Sequence, residues 1–191
     1  MTTAYLIHGT STKDDDWFPW LEQAAQPAIR VKRFSLPHPF SPQQTEWTTA
    51  VNQQIPAQDG ITIIAHSLGC ITALRFVEQH RIKNVNLILV GAFAEPLPAY
   101  SELNAFMEPK PNYSNIKAKL AQATVITAQN DPIAPYQYAV AVANGINAKL
   151  LLRPTGGHFL TSDGYQQFPL VLDELRMMIN SEAKWPWRQL N

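Results

Sequence analysis

The run Ile61-Thr62-Ile63-Ile64-Ala65-His66-Ser67-Leu68-Gly69-Cys70-Ile71-Thr72-Ala73-Leu74 decides how this chain folds. Residues 61–65 are an unbroken apolar or β-branched stretch, the pattern of a strand covered on both faces. From Leu68 onward the pattern turns helical, and only His66 and Ser67 lie between the two. A strand that passes straight into a helix makes a strained turn and lifts the turn residue above the sheet. Small residues two before and two after are needed there because the backbone is crowded. Here they are Ala65, a methyl larger than the usual glycine, and Gly69. The helix N-terminus beneath Ser67 supplies unpaired N–H groups and a positive dipole end. Ser67 is therefore a candidate nucleophile, with the Leu68 amide as a candidate oxyanion donor.

Outward from this turn, short apolar runs alternate with helix-like stretches. Strands are predicted at residues 4–8, 29–35, 61–65, 85–91, 123–128 and 148–153. Helices are predicted between them at 17–26 with Asp16 as cap, and at 41–55 with Ser41-Pro42 as N-cap and first turn. Others follow at 68–80, at 135–144 with Gly145 as C-cap, and at 162–180 with a kink or broken start at Pro169. This alternation is the signature of an α/β fold with a parallel sheet of about six strands and helices on both faces. No repeat or linker is visible, so the reading is a single domain over 1–191. Residues 92–113 break the pattern. Pro96, Pro98, Pro109 and Pro111 occur there with Phe93, Tyr100 and Phe106, and Tyr113 closes the stretch. Such a segment reads as a short, irregular, cap-like insertion over a binding site.

A serine hydroxyl needs an imidazole to take its proton and a carboxylate to orient that imidazole. The strand at 123–128 leads into Gln129-Asn130-Asp131-Pro132. The strand at 148–153 leads into Pro154-Thr155-Gly156-Gly157-His158-Phe159. Asp131 and His158 thus emerge at the same carboxyl edge of the sheet as Ser67, where ligands of open α/β sheets bind. The other histidines fit less well. His8 and His66 read as loop-bonding residues, His38 as a residue of a Pro-rich loop that lines the pocket, and His80 as a helix-terminal cation. Asp163 reads as a cap or turn residue.

The first strand ends in His8-Gly9-Thr10-Ser11. Glycine lets the backbone approach a reacting carbonyl, and the Thr10 amide is the candidate second oxyanion donor. Gly9, Trp17, His38, His66, Phe93 and Phe159 are the candidate pocket residues, while the helical spacing of Trp17, Trp20 and Leu21 favours core packing for at least part of that aromatic cluster. Asp14-Asp15-Asp16 has no further ligand pattern around it and reads as carboxylates at a helix start, not a metal site. Cys70 reads as a packing residue facing the sheet.

Composition narrows the partners. Lys+Arg and Asp+Glu are 15 each, so the net charge is zero and no basic stripe favours nucleic acid. One cysteine rules out an internal disulfide and a Cys-based zinc site. No apolar run approaches the roughly 18 residues of a membrane span, and no signal-like start is present. The expectation is a cytoplasmic protein that does not engage a membrane.

With these residues in place, the chain resembles the small serine hydrolases related to retinoblastoma-binding protein nine and to the bacterial YdeN-type hydrolases. The likeness spans nearly the whole chain. It rests on His8-Gly9, Trp17-Phe18-Pro19-Trp20-Leu21, Ala65-His66-Ser67-Leu68-Gly69, Asn130-Asp131-Pro132-Ile133 and Gly156-Gly157-His158-Phe159. It implies a compact α/β-hydrolase fold and a Ser67-His158-Asp131 triad. The function expected is hydrolysis of an ester, amide or thioester of a small molecule through an acyl-enzyme, with no metal or other cofactor. The alternative is a protein-interaction module on a hydrolase fold, its catalysis secondary. Dehalogenation would need a carboxylate where Ser67 stands. Nothing in the sequence names a protein partner, and Trp185-Pro186-Trp187 suits packing on its own surface or on a second subunit equally.

Overall fold

The computed structural model describes residues 2–183. Six strands form one sheet: β1 (Thr2–Ile7), β2 (Ile29–Arg33), β3 (Thr62–His66), β4 (Val85–Val90), β5 (Leu120–Ala128) and β6 (Lys149–Arg153). Every neighbouring pair is parallel, in the order β2-β1-β3-β4-β5-β6. Strand order reverses between β1 and β3. The loops after those two strands diverge at this switch point and open a crevice at the carboxyl edge.

Alternate residues of each strand feed two separate cores, as the two-residue repeat of a strand requires. Tyr5, Ile7, Ile63, Ala65, Leu87, Leu89 and Val125 face one side. They pack against α2 (Gln44–Gln54), α3 (Leu68–Gln79), α4 (Tyr113–Lys117) and α5 (Tyr136–Ile146). Leu6, Ile64, Ile88, Val90 and Ile126 face the other, against α1 (Phe18–Ala24) and α6 (Pro169–Ala183). Helix α3 is buried along nearly its whole length, so it is held from all sides.

Several predicted ends move, each for a local reason. The second helix starts at Gln44, after Gln43 in extended conformation, and Ser41 instead ends a 38–41 turn closed by its N–H on the His38 carbonyl. Asp16 does not cap α1. Its φ of +53° turns the side chain toward the loop after β6, where it accepts the Thr161 N–H. Helix α5 runs through Gly145, where the Tyr113 ring occupies the space a Cβ would need, and ends at Asn147 in the left-handed region. The predicted helix at 162–180 is broken as Pro169 suggested. A 3-10 turn at Thr161–Asp163 precedes a helix that begins at Pro169 itself. Residues 92–113 carry a 3-10 turn of their own, Ser101–Met107, which no helical periodicity announced. Trp185-Pro186-Trp187 lies outside the described residues.

Among the described residues, no helix is long and apolar enough to cross a membrane. No group of three His, Cys, Asp or Glu side chains among them could hold a metal ion.

Candidate active site

Ser67 sits between β3 and α3 with φ +55° and ψ −128°, a conformation that an L-residue holds only when its surroundings over-determine it. Those surroundings are present. The Ser67 N–H donates to Val90 O, and the Cys70 N–H returns to Ser67 O, both at 2.9 Å. Gly69 lies so close to β1 that a Cβ would stand 2.5 Å from His8 O. A Cβ on Gly9 would stand 2.6 Å from Ser67 Cβ. Both glycines are thus matters of space, which is what the small-residue pattern at the turn implied.

The His158 Nε2 lies 2.8 Å from Ser67 Oγ, and its Nδ1 lies 2.7 Å from Asp131 Oδ2. The His158 and Asp131 side chains are almost wholly shielded from solvent. Asp131 cannot swing, because its Oδ1 accepts the N–H groups of Ile133 and Ala134 at 2.8 and 2.9 Å. The three residues singled out in the sequence, drawn from loops after β3, β5 and β6, form one continuous hydrogen-bonded line.

Other residues brace that line, a role with no clear sequence signal. Asn130 Oδ1 accepts from both Gly156 and Gly157, tying the Asp131 loop to the His158 loop. Asp163 is the cap residue that the sequence suggested, its Oδ2 accepting the Leu160 N–H before the Thr161–Asp163 turn, and the same oxygen also accepts the His158 N–H. Asp16 adds the bond to Thr161, and burial raises the pKa of its carboxyl. A carboxylate or amide that accepts from loop N–H groups looks like any surface polar residue in a sequence. Only the folded loops show what it holds.

His66 packs beside His158, ring centroids 5.1 Å apart, and its Nε2 donates to the His158 carbonyl at 2.8 Å. Its lone pair therefore lies on Nδ1. Burial, followed by the neighbouring His158, pushes its pKa down to about 3, so the ring is neutral. Cys70 faces the sheet as expected, with Sγ 3.4 Å from Ala65 O and Val90 O, and burial raises its thiol pKa.

A cavity of about 220 Å³ opens at Ser67. Thr10, Ser11 and Leu68 line it on the Ser67 side, as do His66 and His158, while Phe93, Leu97, Tyr100, Leu103 and Ile133 form an apolar wall. No described residue accepts from the amides of Thr10 or Leu68. Among the pocket candidates, His66 and Phe93 line this cavity. Gly9 sits against Ser67, although it is not part of the lining. The other three are corrected. Trp17 lies wholly inside the core against Phe18, Phe168 and the edge of His66. Phe159 has φ +60°, which turns its ring under the loop to stack on Phe168 and leaves Leu160 at the cavity. His38, also at positive φ, is exposed in the 38–41 turn and outside the cavity.

The apolar wall belongs largely to the irregular segment, and Arg75 of α3 anchors it. This buried guanidinium donates to Phe106 O at 2.6 Å and Pro109 O at 3.0 Å, and burial pulls its pKa down to about 10.

A parallel sheet with a strained serine at the switch point, and an imidazole–carboxylate pair above it, defines an enzyme of the α/β-hydrolase class. The chain belongs to the family described as Serine hydrolase, whose profile matches residues 4–177. It is 29% identical over 185 residues to the hydrolase YdeN of Bacillus subtilis (strain 168), covering 94% of this chain and 97% of that protein. It is 24% identical over 176 residues to the serine hydrolase RBBP9 of Rattus norvegicus, covering 89% and 94%. The crystal structure of the B. subtilis ydeN gene product superposes with a TM-score of 0.87 at 28% identity, over 94% of this chain and all of that one. The α/β hydrolase domain-containing protein 10 from mouse shares the fold at a TM-score of 0.67.

Proposed function

We propose that this enzyme hydrolyses small carboxylic esters or thioesters with an apolar acyl group, through an acyl-enzyme on Ser67. The unbroken line from Ser67 Oγ through His158 to Asp131 carries the proposal. Asp131 accepts the Nδ1 proton of His158 and so leaves Nε2 bare toward the serine. As Ser67 Oγ attacks the carbonyl carbon, its proton passes to Nε2. The amides of Leu68 and Thr10 receive the oxyanion. His158 then returns the proton to the leaving oxygen or sulfur as the old acyl bond breaks. In the second half, His158 takes a proton from water, the hydroxide attacks the acyl carbon, and Ser67 leaves with that proton.

The cavity supports the acyl assignment. Its volume exceeds the roughly 150 Å³ known to hold a benzene ring, so it suits a ring or a chain of about six carbons. The irregular segment acts as its cap. The test is labelling with a fluorophosphonate probe, together with turnover of a p-nitrophenyl ester series. Wild type should label and turn over, and Ser67→Ala should do neither. Undiminished labelling of Ser67→Ala would overturn the assignment.

A further inference from the structure

His8 follows β1 and takes no part in the proton relay, yet its buried ring is fully committed. The Leu36 N–H, from the loop after β2, donates to Nε2 at 3.0 Å. The lone pair therefore sits on Nε2, and the proton on Nδ1. Nδ1 stands 2.8 Å from the carbonyl oxygen of Gly9 and donates to it. The donating loop is itself fixed, because Trp47 Nε1 donates to Pro37 O at 2.8 Å while the Trp47 ring meets His8 edge-on. Burial lowers the pKa of His8, which keeps this single-donor form in place.

A trans peptide unit points its C=O and N–H in opposite directions. Holding the Gly9 oxygen on the His8 side therefore turns the N–H of Thr10 the other way. Thr10 lines the cavity beside Ser67, and its amide has no acceptor among the described residues. Gly9 presses directly on Ser67, so this peptide unit cannot sit far from the reacting carbonyl.

We propose that His8 is a positioning residue: through the Gly9 carbonyl it aims the Thr10 amide at the oxyanion. The proposal rests on acyl transfer at Ser67. It separates His8 from a plain loop brace, because aiming a donor matters most when the carbonyl oxygen becomes negative.

The test compares His8→Leu, which removes the donor, with His8→Asn, whose amide nitrogen stands near the old Nδ1. With p-nitrophenyl butanoate, His8→Leu should lower kcat by about ten- to hundredfold while KM moves by less than about threefold. Affinity for a matching trifluoromethyl ketone, which forms a tetrahedral adduct on Ser67, should fall by a similar factor. His8→Asn should recover most of both. An unchanged kcat, a loss confined to KM, or no advantage of Asn over Leu overturns the proposal. If His8→Leu does not fold, nitrogen-15 NMR of the wild type decides. A protonated Nδ1 with a bare Nε2 supports the assignment, and the opposite tautomer overturns it. Ser67→Ala keeps the two readings apart. If that variant still labels with the probe, the acyl-transfer reading fails. If it is dead while His8→Leu stays fully active, only the role of His8 fails.

Discussion

The two halves of the cavity are held by different physics. On the Ser67 side, side chains are fixed by short bonds to backbone groups: Asp131 to two amides, Asn130 to two, Asp163 to two, His66 to a carbonyl. On the side of the irregular segment, Phe93, Leu97, Leu103 and Phe106 are held by apolar contact, with Arg75 pinning two carbonyls of that segment. Directional bonds set positions to a fraction of an ångström, while apolar packing sets mainly volume. The difference suits the proposed chemistry. Proton transfer needs fixed distances, and an acyl group needs only space of the right size.

The sharpest break of this contrast falls on the directional side. In Asp131→Asn, the amide oxygen would still accept from Ile133 and Ala134, so the NH₂ must face His158 Nδ1. That places the imidazole proton on Nε2, pointing it at Ser67 instead of leaving a lone pair. We expect kcat for a p-nitrophenyl ester to fall by about 10⁴ with the fold unchanged by circular dichroism. A loss below about tenfold would mean that Asp131 does not set the tautomer.

Gly9→Ala tests the same side by crowding alone. The new Cβ would stand 2.6 Å from Ser67 Cβ and 3.1 Å from His66 O, and neither neighbour is a flexible chain end. Ser67 or the Thr10 amide must shift, which should lower kcat by about 10²–10³. Steady-state rates beside a thermal melt check this. Wild-type rates in the variant would show that the loop after β1 has more freedom than its packing suggests.

The cost of so ordered a Ser67 side should appear in the pH dependence of stability. His66 has a pKa of about 3 in the folded protein against 6.5 for an ordinary imidazole, and the groups facing it are His158, Asp131 and His8. Between those values the unfolded chain binds a proton that the folded one does not. Stability is therefore full above pH 6.5 and declines as the pH falls toward 3, by about 1.4 kcal/mol per pH unit from this group. His8, also lowered, acts in the same direction. His66→Gln keeps a donor for the His158 carbonyl and removes the titration. Urea melts from pH 8 to 4 should give a shallower slope for that variant. Equal slopes would place the acid sensitivity elsewhere.

The same contrast explains what could be read from the sequence. Ser67, Asp131 and His158 were legible because each follows a strand, and strands announce themselves by apolar runs. The six strands were legible too, to within a few residues at their ends. Phe159 was misplaced because an aromatic beside a motif looks alike whether it faces ligand or core, whereas for Trp17 the helical spacing with Trp20 and Leu21 already pointed to the packing it shows. Phe159 stands at positive φ, a conformation that the sequence hints at for Asn, Asp or His but not for an aromatic residue. Asn130 went unread, and Asp163 was read only as a cap or turn residue, for a related reason: they act on loop amides, and which amides lie nearby is a tertiary fact. The wall residues Leu97, Leu103 and Ile133 carry no chemistry to recognise.

That wall yields the mildest test, and the one that most sharpens the comparison. Leu103 is almost buried, in the cap's 3-10 turn, and it touches the cavity without taking part in any hydrogen-bonded line to Ser67. Leu103→Ala removes wall volume and leaves Ser67, His158 and Asp131 untouched. If apolar packing sets size alone, kcat/KM for p-nitrophenyl octanoate relative to butanoate should rise by about fivefold, within the range of one or two methylene contacts. The absolute rate on acetate should stay near wild type, because an acetyl group does not reach the wall. An unchanged chain-length preference would assign the wall to the leaving group, and a series varied in alcohol at constant acyl chain would then shift instead. A collapse of rates on every ester, acetate included, would show that the cap reaches the nucleophile through the Phe106–Trp47–His8 contacts. In that event the two halves of the cavity would form one mechanical unit.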